Sequence, residues 1–116
     1  GTLKTIVLKL LADKGRMYGY EITQYVKMQS EGRLVLTEGA LYPTLHKLEK
    51  EGLVRAERQQ VGKRMRKYYH LTVAGEKASN SRMAEFEEFL QVMHLIIHPK
   101  PQGDGSWIDT PTVTIY

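Results

Sequence analysis

Leu3, Ile6, Val7, Leu10 and Leu11 recur at helical intervals. They form one apolar stripe on a helix over residues 2–13, which Gly15 stops. A second helix is predicted from Tyr18 to Gln29, with Ile22, Val26 and Tyr25 turned inward, before Ser30-Glu31-Gly32 breaks it. Leu34-Val35-Leu36 is an apolar run too short for a helix. Thr37 then reads as an N-cap, with Glu38 well placed in the first turn of a third helix over Glu38 to Lys50. Leu41, Leu45 and Leu48 lie on one face of it. Pro43 conflicts with that helix, because it removes the bond to the Gly39 carbonyl and favours a bend. Gly52 ends the helix as a C′ residue.

The period then changes to two. Leu53 to Gln60 and Met65 to Leu71 read as strands around a Gly62-Lys63 turn, a β-hairpin. Lys67, Tyr69 and Leu71 share one face of the return strand, and Arg66, Tyr68 and His70 the other. Thr72 caps a fourth helix that runs to about Ile97, ahead of Pro99. Its apolar residues are Ala78, Phe86, Phe89, Leu90, Met93, Ile96 and Ile97, widened by Val92 and Leu95. Residues 99–116 divide into a loop, PKPQGDGS, and a segment with strand-like content, WIDTPTVTIY, interrupted by Pro111. The predicted fold is mainly α with a small β-hairpin: a winged helix-turn-helix followed by a long C-terminal helix. The expected divisions are 1–72, 73–98 and a tail, 99–116, that packs on its own dimer, adds a strand to an exposed edge or is held by a crystal contact. Trp107, Ile108, Val113, Ile115 and Tyr116 are the groups able to anchor it.

Charge sharpens this reading. The 116 residues carry a formal charge of +4. Residues 53–71 hold Arg55, Arg58, Lys63, Arg64, Arg66 and Lys67 against Glu57 alone, a net +5, so the remainder sums to −1. A basic stripe of this kind suits a phosphate-tracking surface. There are no cysteines, which excludes disulfide scaffolds, thiolate zinc sites and cysteine nucleophiles and fits a cytoplasmic location. No apolar run reaches membrane-spanning length.

A helix-turn-helix lays its second helix in the major groove, and the third helix here meets the need. Gly39, Pro43, His46 and Lys50 stand opposite the leucines, with Tyr42 and Lys47 flanking. Thr37 and the free amides of the first turn can bond phosphate, and Glu38 is counted with them among the DNA-facing residues of the helix. A plain solvated helix face explains this helix equally well taken alone. The hairpin shifts the balance, because Lys63, Arg64, Arg66 and Lys67 crowd its tip and return strand more densely than edge protection requires. A wing along the DNA backbone accounts for them better.

YGYEI at Tyr18–Ile22, TEGALYPTLHKLEKEGLV at Thr37–Val54 and RKYYHLTVAGEKA at Arg66–Ala78 resemble the successive signatures of PadR-like regulators of bacterial transcription. The similarity spans residues 2–98. It implies a winged-helix reader of double-stranded DNA, a homodimer built with the C-terminal helix, and often repression relieved by a small molecule. It also implies that Tyr18, Gly19 and Glu21 set the second helix against the third, that Tyr42 borders the DNA-reading surface, and that Tyr69 packs the wing on the core. The single fourth helix resembles the short subfamily. The tail has no counterpart in it.

Phe86, Leu90, Met93 and Ile97 step by four, three and four, a spacing that suits a helix–helix seam, and Phe89 and Ile96 border it. A 25-residue helix spans about 38 Å, more than a small winged domain covers, so an isologous homodimer is expected. Met83 and Met93 are candidates for a pocket that takes a small hydrophobic or aromatic effector, or else plain core. His94 and His98 have metal-compatible spacing but lack a third ligand. No metal, cofactor or catalytic site is expected, and no enzymatic activity, because no nucleophile–base pair or phosphate-binding glycine loop is present. The alternative is a winged-helix protein–protein module without DNA, which would not need the basic wing.

Overall fold

The computed structural model describes residues 1–116 except Gln102, Asp104 and Tyr116. Helix α1 spans Thr2–Lys14, strand β1 Arg16–Tyr18, α2 Gly19–Gln29, α3 Glu38–Lys50, β2 Val54–Val61, β3 Arg64–Leu71 and α4 Val73–Ile97. A short 3-10 turn follows at Ser106–Asp109. This is a winged helix with four helices and a three-stranded antiparallel sheet in the order β1-β3-β2.

The three expected helix faces converge on one core. Val7, Leu8 and Leu11 of α1, Ile22 and Val26 of α2, and Leu41, Leu45 and Leu48 of α3 are buried together with Met17, Val54 and Tyr69 from the inner face of the sheet. Tyr25 is half-buried at its edge.

The ends of α3 follow from local chemistry. The Thr37 hydroxyl oxygen accepts from the Ala40 amide at 3.2 Å. Gly52, with φ 77°, closes the other end. Its amide donates to the Glu49 carbonyl and that of Leu53 to the Leu48 carbonyl, each at 3.0 Å, the paired bonds of a Schellman cap. The helix is unbroken through Pro43. The Thr72 hydroxyl caps α4 by accepting from the Gly75 amide at 3.0 Å, and it donates to the Gly52 carbonyl at 2.7 Å.

That last pair draws α4 tight against the α3–β2 turn. A Cβ on Gly75 would lie 2.0 Å from the Leu53 carbonyl oxygen, a backbone atom that cannot rotate away. Gly75→Ala is therefore expected to destabilise the fold by about 1–3 kcal/mol, the usual range for overpacking. Thermal unfolding checks this, and an unchanged midpoint would mean the turn can slide.

The sequence reading needs three corrections. The sheet has a third strand, β1, because residues 16–18 pair with His70, Tyr69 and Tyr68 at the edge of β3. The second helix starts at Gly19, with Tyr18 as its N-cap in extended backbone. The tail holds one 3-10 turn and no strand over residues 111–115. Trp107 is 73% exposed within the chain, and Ile108, Val113 and Ile115 are also exposed. The anchoring role expected of Tyr116 lies outside the described residues.

Candidate nucleic-acid interface

Helix α3 is held by its leucines and presents the opposite side to solvent. Thr37, Glu38, Gly39, Pro43, His46, Lys47 and Lys50 are all exposed. Proline at 43 has no amide to offer the Gly39 carbonyl, so the i→i−4 bond to that acceptor is missing from the helical ladder. Ala40 is also exposed, and Thr44 is half-buried with its hydroxyl donating to the Ala40 carbonyl at 3.0 Å. The sequence reading named neither, although small residues allow a helix to approach base edges.

Tyr42 differs from its neighbours. It is half-buried, and a Cβ on Gly19 would meet its hydroxyl oxygen at 2.4 Å. The ring thus fills a space that only glycine leaves open, locking the start of α2 to α3. Burial, with Glu38 adding to it, raises the Tyr42 phenol above its ordinary pKa. Its ring centroid lies 6.5 Å from that of His46, so the packed tyrosine borders the exposed face. On the other side of α2's first turn, a Glu21 carboxylate oxygen accepts from the Tyr18 amide at 3.2 Å.

The wing divides its cations between two faces. Lys63 stands in the turn. Arg64 and Arg66 lie on the outer face with Tyr68 and His70, whereas Lys67 alternates to the other face. Arg58 pairs in register with Lys67 and stands beside it, a cation that the sequence reading counted but did not place. Register is the signal that places it, since partners directly opposite in an antiparallel pair share a face. Below them Tyr69 is fully buried, and its hydroxyl has no hydrogen-bond partner among the described residues. Burial, then Glu49, raises its pKa.

Helix α4 packs its N-terminal half on α1, burying Gly75 and Ser79. Beyond Arg82 its cover thins. Phe86, Phe89 and Met93 are half-buried, while Leu90, Ile96 and Ile97 are 51, 66 and 62% exposed. A cleft of about 500 Å³ lies along this half, lined by residues that include Leu90, His94 and Leu95; neither Met83 nor Met93 lines it. His94 and His98 lie with ring centroids 4.8 Å apart and planes tilted at 49°, and no group of three metal-ligating side chains occurs among the described residues. No helix among them is long and apolar enough to cross a membrane.

A helix with a small-residue polar face, held by a leucine face and flanked by a basic hairpin, defines the winged-helix class of DNA-binding proteins. Residues 7–81 match the model of the transcriptional regulator PadR-like family, and the chain belongs to that family of DNA-binding transcriptional regulators. It is 42% identical over 53 residues to the transcriptional regulator Rv3488 of Mycobacterium tuberculosis, covering 46% of this chain and 50% of that one. A transcriptional regulator from Clostridium thermocellum superposes with a TM-score of 0.75 at 30% identity, covering 86% of this chain and 92% of the other. Bacillus subtilis PadR in complex with operator DNA matches with a TM-score of 0.66 at 26% identity, over 99% of this chain and 54% of that one.

Proposed function

We propose that this regulator is a cytoplasmic homodimeric repressor that binds a pseudo-palindromic operator in double-stranded DNA. Each protomer lays α3 in a major groove, with His46, Lys47 and Lys50 at base edges or phosphates and the first turn, Thr37 to Gly39, against the backbone. The wing follows the adjacent phosphates through Lys63, Arg64 and Lys67. Residues 1–72 form the reading domain, and 73–98 form the dimerisation helix. Phe86, Phe89, Leu90, Met93, Ile96 and Ile97 form its seam. A small hydrophobic or aromatic molecule bound between the two fourth helices relieves repression by changing the distance between the recognition helices.

The observation that carries this reading is the juxtaposition in one domain of an exposed polar α3 face and a hairpin with net +5. The relative bound to operator DNA supports the same use of the fold. Two recognition helices on a symmetric dimer meet successive major grooves about 34–36 Å apart. Footprinting on duplexes selected with the purified protein is expected to show two protected half-sites at that spacing. Protection of a single half-site by one protomer would overturn the dimeric reading.

A further inference from the structure

The wing's cations are not equivalent. Strand β1 pairs only with residues 68–70 of β3. Past that level β2 and β3 continue as a two-stranded ribbon out to the Val61–Arg64 pair. A two-stranded ribbon is marginally stable by itself, so its orientation depends on what braces its root. Arg66 stands at the first outer-face position beyond the third strand. Its guanidinium carbon lies 4.1 Å from the centroid of the Tyr18 ring. Tyr18 meets Tyr68 edge-on, with centroids 5.5 Å apart and planes at 78°. The Arg16 guanidinium covers Tyr68 at 4.1 Å and donates to the side-chain amide oxygen, Oε1, of Gln59 on β2. A row of Arg66, Tyr18, Tyr68 and Arg16 therefore crosses the root of the wing. Its second member, Tyr18, is the residue that caps α2.

We propose that Arg66 is a positioning residue: clamped on Tyr18, it fixes the angle of the wing against the helix-turn-helix instead of binding a phosphate itself. The proposal rests on the reading of the chain as an operator-binding dimer whose wing meets the backbone. Swinging to a phosphate would cost Arg66 its place over the ring. Hydrogen bonding to Tyr68 gives it a further reason to stay, and raises its pKa above the ordinary range. Arg64, exposed and nearer the tip, is an outer-face cation left for DNA.

The test compares operator affinity across a salt series for the wild type, Arg66→Ala, Tyr18→Leu, Tyr18→Phe and the Arg66→Ala/Tyr18→Leu double variant. A cation–π contact of this kind corresponds to roughly a two- to fivefold effect, so two wings give roughly a four- to twenty-five-fold loss. Arg66→Ala and Tyr18→Leu are expected to weaken binding in parallel, with matching changes in salt slope. The double variant should be no weaker than either, and Tyr18→Phe, which keeps the ring, should bind as the wild type does. A Tyr18→Leu protein that binds normally while Arg66→Ala loses about 0.9 of salt slope per protomer would make Arg66 a direct phosphate ligand and overturn the proposal. A nitroxide on Gln60→Cys, the sole thiol in a chain without cysteines, reads the clamp without DNA. Its spectrum should sharpen in Tyr18→Leu and Arg66→Ala, and an unchanged spectrum refutes the clamp even if no duplex binds.

Discussion

Replacing Lys63, Arg64 and Lys67 together by alanine is expected to weaken binding to every duplex alike, on the order of a thousandfold near physiological salt. Each phosphate contact released contributes up to about 0.9 to the slope of log affinity against log salt. Three residues on each of two wings therefore flatten the slope by up to about 5. The three side chains are exposed or half-buried and outside the apolar core, so the fold should survive. Preference among sequences should also survive, because phosphate contacts position the protein and base contacts specify the site. Fluorescence anisotropy titrations at several salt concentrations, on the selected site and a scrambled duplex, read both quantities. A triple variant that keeps affinity and slope would show that the wing stays clear of the backbone.

Placing aspartate at Leu90 and Ile97 is expected to give a monomer. Both side chains are more than half exposed in the single chain, so the isolated fold tolerates the change. In a seam the same positions would bury two apolar side chains from each copy. Full burial of one such side chain is worth roughly 1.5–3 kcal/mol, and each here starts partly covered. The four together contribute about 4–6 kcal/mol, a thousandfold or more in the dimer dissociation constant. Sedimentation at micromolar concentration should show the species of half mass. Operator affinity should fall at least a hundredfold, because each half-site must then be bound separately. A variant that still sediments as a dimer would place the seam elsewhere.

How much of this was legible beforehand depends on the range of the physics involved. The limits of α3 were legible because they are local: Thr37 reaches three residues along the chain, and Gly52 adopts a backbone conformation that glycine allows cheaply. The leucine face of α3 and the hairpin were legible because a helix and a strand impose different periods. Membership of the family was carried by Glu38-Gly39 and Leu41-Tyr42-Pro43, a run that keeps proline inside a helix.

Other features arise only when distant segments meet. Residues 16–18 are too few for any period to register, and they form a strand because the edge of β3 accepts their backbone bonds. Tyr42 looked like a surface residue until Gly19, far along the chain, left a space for its ring. Arg66 and Lys67 are neighbours in sequence, yet pleating turns one toward Tyr18 and the other toward the face it shares with Arg58. The tail has residues that favour strands, but strand propensity is realised only beside a partner edge. Sequence alone determined, to within about a residue, where the helices and the hairpin begin and end, and what charge they carry, because caps, turns and periodicity act within a few residues. Tertiary structure decided which cations are free and which are engaged, and which half of α4 is left bare. A helix of about 20 Å, α1, cannot cover one of about 38 Å, and stacking and burial depend on partners that the chain brings together only by folding.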